Sequence, residues 1–293
     1  MLGPEELRRR LLAAVGPGGG WPYYAGRSSR IEPTAWGLLA LGATGHDEPV
    51  RDAAFAFLNG LARQSGLLVD PGAPAANAAW NGLLVVALHS VPDPRAREMA
   101  AALGQALTAL YGIALRPDST VRQDNTLQAW PWTDGTFSWV EPTAFCTLAL
   151  KQARAAGNDA AAARVAEAER LLVDRACQPA GWNYGNGAVL DQDLRPYVPT
   201  TALALLALQD RSAEPVVRRG TDWLAANAAS EPSAMALSLA AVCLTVLGPP
   251  ADKALEALGA SERRTGFLDN AHLMAMALFA FTLAEHGGRA FRV

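Results

Sequence analysis

The sequence predicts an all-α protein, an α/α toroid of about six helix pairs that spans residues 1–293 as a single domain. Two kinds of helical segment alternate along the chain, one amphipathic and one apolar on almost every side. Pro- and Gly-rich stretches occur where an amphipathic segment is followed by an apolar one. These stretches are 16–31, 66–75, 112–140 and 178–198.

The amphipathic segments are predicted to be the outer helices of the ring. In residues 159–176, Ala161, Val165 and Leu172 recur at helical spacing, and Arg164 falls between them on the side expected to face water. A helix with one apolar stripe packs through that stripe alone. The other outer segments are 5–15, 49–63, 94–110, 214–228 and 251–259.

The apolar segments are predicted to be the inner helices. A helix without a polar face is buried on every side, which favours closure into a ring over an open superhelix. All inner helices would then run parallel, and their N-termini would meet at one mouth of the ring. The segments are 33–43, 76–89, 142–156, 199–209, 232–247 and 270–285.

Charge and cysteine content exclude several classes of function. The net charge is −3 and no basic stripe is present, so no nucleic-acid partner is expected. Cys146, Cys177 and Cys243 lack metal-binding spacing and are predicted to be buried free thiols in a reducing compartment, hence a cytoplasmic protein. No apolar run is long enough to span a membrane, although peripheral membrane contact stays open. Neither a cofactor nor a metal is predicted.

A Glu-Pro-Thr-Ala-aromatic motif occurs twice, at 32–36 and 141–145, each time before an apolar run. Proline suits the first turn of a helix, where its missing N–H costs nothing. A carboxylate beside it faces the positive end of the helix dipole. The motif therefore predicts helix initiation, and it leaves open that Glu32 or Glu141 is also a functional acid.

The ring places polar residues and aromatic loops at the same mouth. The polar circle expected there is Glu32, Asn77, Glu141, Thr200, Glu231 and Asp269. A concave site with aromatic walls and a few polar groups is a typical binding site. The alternative is that each tryptophan packs its loop against the end of the barrel. The loop aromatics are Trp21, Tyr23, Tyr24, Trp130, Trp132, Trp139, Trp182, Tyr184 and Tyr197.

The loops GGGWPYY (18–24), QAWPW (128–132) and QPAGWNYG (178–185), each followed by an apolar helix, resemble degenerate QW repeats. These are the repeats of the squalene–hopene cyclase and protein prenyltransferase β-subunit superfamily. The resemblance covers essentially the whole chain. It implies an α/α toroid that binds an isoprenoid or another apolar small molecule. It also leaves open a homo-oligomer or a partner subunit, since the chain is a single barrel.

The resemblance implies specific site residues. Class II terpene cyclases protonate their substrate with the middle Asp of an Asp-x-Asp-Asp-Thr-Ala motif, and aligning on Thr-Ala puts Glu32 or Glu141 at that position, without the helper carboxylates. These two are the catalytic candidates of a class II-like cyclase. The substrate-binding candidates are Trp36, Trp132, Trp139, Phe145, Tyr197 and His272.

The prenyltransferase branch of the superfamily implies zinc, but the sequence departs from its pattern. Asp269 and His272 keep the Asp-x-x-His spacing, whereas Ser233 stands where the ligand cysteine would be. Without the thiolate no zinc site is predicted. The Asp191-Gln192-Asp193 segment is out of register with the inner helices and is predicted to be a solvated loop, with a magnesium-diphosphate contact left open.

Two functions of other classes stay open. One is a non-catalytic toroid that binds a lipid or a partner protein through an exposed apolar patch around Trp21, Trp130 and Trp182. The other is a glycosidase, since rings of six helix pairs also host such enzymes, with Asp134 joining Glu32 and Glu141 near the mouth.

Overall fold

A computed structural model describes residues 3–45, 47–117, 121–154 and 159–293. Within these ranges the chain forms twelve α-helices, which confirms the predicted all-α toroid. The odd-numbered helices lie outside and the even-numbered helices lie inside. The helices are Pro4–Ala13 (α1), Ile31–Thr44 (α2), Glu48–Asn59 (α3), Ala78–His89 (α4), Pro94–Thr108 (α5), Val140–Arg154 (α6), Asp159–Asp174 (α7), Val198–Ala207 (α8), Pro215–Asn227 (α9), Ala234–Leu247 (α10), Asp252–Thr265 (α11) and Ala271–His286 (α12).

The inner helices form a closed ring. Each packs against the next in chain order, and α12 packs against α2. Burial follows this arrangement: α4 buries every residue except Trp80 and His89, whereas the outer helix α3 buries only Ala54, Phe55 and Leu58. The complete burial of the inner helices is the physical origin of their missing polar face.

Two short hairpins extend the loops and were not anticipated by the sequence. Arg63–Gln64 (β1) pairs antiparallel with Leu67–Leu68 (β2), and Ala188–Val189 (β3) pairs antiparallel with Gln192–Asp193 (β4). Two residues per strand are too few to show the alternation of a strand.

One polar arrangement recurs three times where a loop leads into an inner helix. The backbone N–H of a loop tryptophan donates to the hydroxyl of a threonine in the first turn of the helix. The side chains of all six residues are fully buried. The pairs are Trp21 with Thr34 (3.0 Å), Trp130 with Thr143 (3.3 Å) and Trp182 with Thr201 (2.9 Å).

The indole rings of the same tryptophans bind the preceding outer helix. Each ring N–H donates to a backbone carbonyl near the end of that helix, and the acceptors are Leu11 (2.8 Å), Leu107 (2.9 Å) and Leu172 (2.6 Å). Each tryptophan therefore joins an outer helix to the inner helix that follows it. Because all three rings are fully buried, the apolar patch expected around them is not on the surface.

We expect Thr143→Val to lower the free energy of unfolding by about 1–3 kcal/mol, because the buried N–H of Trp130 loses its acceptor while the side-chain volume is kept. Urea denaturation would measure the loss. Thr147→Val is the matched control, since Thr147 is equally buried but its hydroxyl bonds only the Thr143 carbonyl of its own helix. An equal loss in both variants would contradict the anchoring role.

The three cysteines are buried free thiols, as predicted. In the part of the chain described by the structure, no helix combines the length and the hydropathy that crossing a membrane requires.

Candidate functional site

The loops close over the end of the ring at which the inner helices begin, which we call the N-terminal mouth. Loop carbonyls bind the first residues of neighbouring inner helices. The carbonyl of Tyr23 accepts from the N–H of Ala271, and the carbonyl of Tyr184 accepts from the N–H of Val140, both at 2.9 Å. The loop aromatics are thereby held at the mouth, where the second residues of α2, α6 and α12 are Glu32, Glu141 and His272.

Glu32 lies next to two side chains, Tyr23 and His272. It is 8% exposed, and the Tyr23 hydroxyl donates to its Oε2. Burial, followed by the charge of Glu32, raises the pKa of Tyr23, so the phenol keeps its proton as a donor. His272 Nε2 lies 3.2 Å from Glu32 Oε1. Tyr23 meets the His272 ring edge-on, with centroids 5.6 Å apart.

His272 keeps an unused hydrogen-bonding atom at this position. The residue is 5% exposed, and its Nε2, although 3.2 Å from Glu32 Oε1, makes no hydrogen bond within the described ranges. A buried polar atom without a partner is costly unless it binds something else. The imidazole is thus available to a ligand that reaches Glu32.

Glu141 lies in a different environment from Glu32. Burial, followed by the negative charge of Glu32, raises the pKa of Glu141 to about 7. No group in the described part of the chain donates a hydrogen bond to its carboxyl. The mouth therefore holds two carboxyl groups whose charges interact. Glu32 accepts a hydrogen bond from a tyrosine, and Glu141 retains a proton near neutral pH.

A third carboxyl group was missed by the sequence analysis. Asp70 follows β2 and accepts a 2.8 Å hydrogen bond from the N–H of Ile31, the first residue of α2. Burial raises the pKa of Asp70, opposed by that hydrogen bond and the charge of Arg30, while the charge of Glu32 adds to the rise. No local motif marks it, because it caps a helix that lies earlier in the chain.

The predicted substrate-binding aromatics separate into three groups. Trp139 and Tyr197 are exposed at the mouth, and Tyr197 lies beside Tyr184. Trp132 and Phe145 both pack around Trp80.

Trp36 forms the third group by itself. It is fully buried and stacks on Phe291, with ring centroids 5.6 Å apart, and Phe279 completes the cluster. The structure therefore brings Glu32, Glu141, His272, Trp139 and Tyr197 to the mouth and places Trp36 in the core.

Three further residues of the predicted polar circle have structural roles. Asn77 caps α4 through a 3.1 Å hydrogen bond from the N–H of Trp80, and the buried Thr200 hydroxyl donates to the Trp182 carbonyl. Asp269 points into solvent and pairs with Arg10 at 2.5 Å.

The sequence patterns considered for metals do not converge. Asp269 binds Arg10 instead of meeting His272, and Asp193 lies in an exposed hairpin where it pairs with Arg122 at 2.8 Å. Over the residues described, no group of three or more His, Cys, Asp or Glu side chains could hold a metal ion.

The chain was compared with known proteins. No protein-family model and no curated protein matches the sequence. Among solved structures, a protein described as a novel α-amylase from Clostridium perfringens has a TM-score of 0.70 and 10% identity over 95% of this chain and 97% of that one. A GH76 α-mannanase from Bacteroides thetaiotaomicron has a TM-score of 0.61 and 9% identity over 96% and 94% of the two chains. A β-1,3-1,4-glucanase from Paenibacillus sp. X4 has a TM-score of 0.59 and 10% identity over 97% and 91%.

These similarities correct the predicted family. The resemblance to the squalene–hopene cyclase and prenyltransferase superfamily is wrong, because the similar toroids are glycoside hydrolases. The isoprenoid ligand and the terpene cyclase activity are corrected with it. The physical reason lies in the loops that carried the resemblance. Their tryptophans and the following Pro-Thr join outer to inner helices, a need of the toroid and not of one activity. At this level of identity, the solved structures show a shared fold.

Proposed function

We propose that the chain is a glycoside hydrolase that cleaves a glycan at the N-terminal mouth. Glu141 acts as the general acid and Glu32 supplies the second carboxylate. The observation that carries this proposal is the pair of carboxyl groups in unlike environments at the start of α2 and α6. Pairs of titratable groups whose surroundings differ in this way are typical of acid and base roles.

Glycoside hydrolysis needs two carboxyl groups with distinct tasks. One gives a proton to the leaving glycosidic oxygen, and the other attacks the sugar or activates a water molecule. Glu141 retains its proton up to about pH 7 and can give it away. Glu32 accepts from Tyr23, which orients its carboxyl group. His272, with its unused Nε2, is placed to bind a sugar hydroxyl beside Glu32.

The solved structures support the reaction class without fixing the sugar. Their names include an α-amylase, an α-mannanase and a β-glucanase, three different substrates on one kind of ring. A fold hosts many activities, so the site residues carry the argument. We also propose a cytoplasmic location, because buried free thiols are typical of a reducing compartment.

The proposal is tested by incubating the protein near pH 6 with starch, yeast α-mannan, mixed-linkage β-glucan and xylan, and measuring new reducing ends. We expect release from at least one polysaccharide. Glu32→Gln should lower that rate about 10²–10⁴-fold, because the amide cannot serve as nucleophile or base.

Asp134→Asn is the matched control for Glu32→Gln. Asp134 is exposed in a loop, where its carboxyl accepts from the N–H of Gly135, so we expect an unchanged rate. Absence of release from all four polysaccharides, or equal rates in wild type and Glu32→Gln, would overturn the proposed function.

A further inference from the structure

Two adjoining cavities form a groove near Glu141. They have volumes of about 620 Å³ and about 300 Å³, and both are lined by Trp139, Gly185 and Asn186. The larger continues to Tyr197, and the smaller continues to Phe137. We call this surface the aromatic groove.

Most of the large apolar side chains exposed on the described surface lie on this groove or at its rim. A contiguous exposed apolar area on a protein surface usually marks an interaction site. The groove members are Ile113, Leu115, Phe137, Trp139, Tyr184, Val189 and Tyr197, and Tyr111 and Leu190 lie on segments beside it.

The aromatic rings of the groove are held in place by the loops. A Cβ atom on Gly185 would lie 3.3 Å from two atoms of the Trp139 ring, so the backbone at Gly185 passes close against that ring. Tyr184 and Tyr197 pack side by side, with centroids 5.4 Å apart. Rings fixed in this way present flat apolar faces to a ligand at little cost in side-chain entropy.

Polar groups stand between these rings. The side chains of Gln123, Asn125, Asn186 and Arg195 line the groove and make no hydrogen bond to any described residue. A purely apolar ligand would bury these groups without partners, at a free-energy cost for each. Of the three charged side chains that line the groove, Arg175 is paired with Asp174 and Asp193 with Arg122, and Arg195 can donate to hydroxyl groups of a ligand. The surface suits a neutral ligand with apolar faces and many hydroxyl groups.

The groove lies close to Glu141 of the candidate catalytic site. Trp139 stands two residues before Glu141, and the Tyr184 carbonyl binds the first residue of the helix that carries Glu141. The charge of Glu141 also contributes to the raised pKa of Tyr184, after burial. A ligand bound at Glu141 that extends past Tyr184 would therefore reach the groove.

We propose that the aromatic groove binds further sugar units of a neutral, chain-like glycan, so that the protein recognises several units on one side of the bond to be cleaved. Sugar rings carry apolar C–H faces that lie on aromatic rings, and hydroxyls that bind amides. The inference rests on the proposed function for the position of the cleaved bond. Binding in the groove can nevertheless be measured without hydrolysis.

The test uses the full chain with Glu141→Gln, titrated by calorimetry with malto-, manno-, β-gluco- and xylo-oligosaccharides of increasing length. We expect the affinity for one series to rise with each added unit over several units. Tyr197→Ala and Trp139→Ala, each added to Glu141→Gln, should weaken binding of the longest member about tenfold and leave the shortest unchanged.

Tyr24→Ala is the matched control for Tyr197→Ala, because both tyrosines are 47% exposed at the mouth and Tyr24 lies outside the groove. We expect no loss of affinity in that variant. Affinity independent of chain length, or equal losses in the two tyrosine variants, would overturn the groove inference even if wild type hydrolyses a glycan. Length-dependent binding through Tyr197 in a protein that hydrolyses none of the four polysaccharides would support the groove and overturn the proposed hydrolase.

Discussion

Replacing Glu141 by glutamine is expected to abolish hydrolysis of any glycan that the wild type cleaves and to stabilise the fold above neutral pH. The amide cannot donate a proton to a leaving oxygen, and removal of a general acid typically lowers kcat about 10²–10⁴-fold. In the wild type the acid must be protonated, so activity should fall as the pH rises through about 7. Initial rates measured across the pH range would show this descending limb.

The stability effect follows from the same pKa. The Glu141 carboxyl titrates near its ordinary value of 4.5 in the unfolded chain and at about 7 in the folded protein. Between these values the folded state holds a proton that the unfolded state has released, so stability falls as the pH rises. Above pH 7 the charged carboxyl, buried and close to Glu32, costs at most about 3.4 kcal/mol, taking about 1.36 kcal/mol for each pKa unit.

Glutamine carries no charge, so the Glu141→Gln variant does not lose this free energy of unfolding at high pH. We expect Glu141→Gln to melt several degrees above the wild type near pH 8 and at nearly the same temperature near pH 4, where both states of the wild type are protonated. Thermal unfolding at the two pH values makes the variant its own control. A difference in melting temperature that is the same at both pH values would contradict the raised pKa, and retained activity would contradict the acid role.

Replacing Arg164 by methionine should lower the free energy of unfolding by about 3–5 kcal/mol. Arg164 lies on the outer helix α7 and is almost fully buried. Its guanidinium donates to the carbonyls of Leu110 and Gln128, both at 2.8 Å, and to that of Ala129 at 3.3 Å. Methionine fills most of the volume but leaves all three carbonyls without this donor.

The guanidinium also lies between two aromatic rings. It is 3.8 Å from the centroid of Tyr111 and 4.3 Å from that of Trp130, which adds a cation–π contribution. Arg164→Lys keeps the charge and loses the planar fork, so we expect a loss intermediate between wild type and methionine. Urea denaturation would measure both variants. A methionine variant as stable as the wild type would contradict the role of Arg164 in fixing this loop.

The burial of Arg164 was not predictable from the sequence. Its position between the apolar residues of 159–176 predicts that its side chain faces water. In the structure the loop that follows α5 packs on α7 and buries Arg164. Asp70 was missed for a similar reason, since the group that it caps, the N–H of Ile31, is distant in the chain. Hydrophobic periodicity describes each helix alone and contains no information on which loop covers it.

The helices were predictable from the sequence because burial determines which residues of each helix are apolar. In a closed ring no face of an inner helix contacts water. The sequences of the inner helices are therefore apolar on almost every side. The two carboxyl groups of the mouth were predictable because each follows the same helix-start chemistry, Glu-Pro-Thr. The ligand was mispredicted, because loops with buried tryptophans such as Trp21 resemble QW repeats, whereas the structure shows that these tryptophans anchor the loops.

The contact of α12 with α2 makes the first and last helix pairs neighbours, and the hydrogen bond from Ala271 to the Tyr23 carbonyl joins them at the mouth. In an open array of helical repeats, the two end units have one neighbour each and fray first. A ring has no such ends. The amide hydrogens of α2 and α12 should therefore exchange with solvent as slowly as those of α6, and the whole ring should unfold as one cooperative unit.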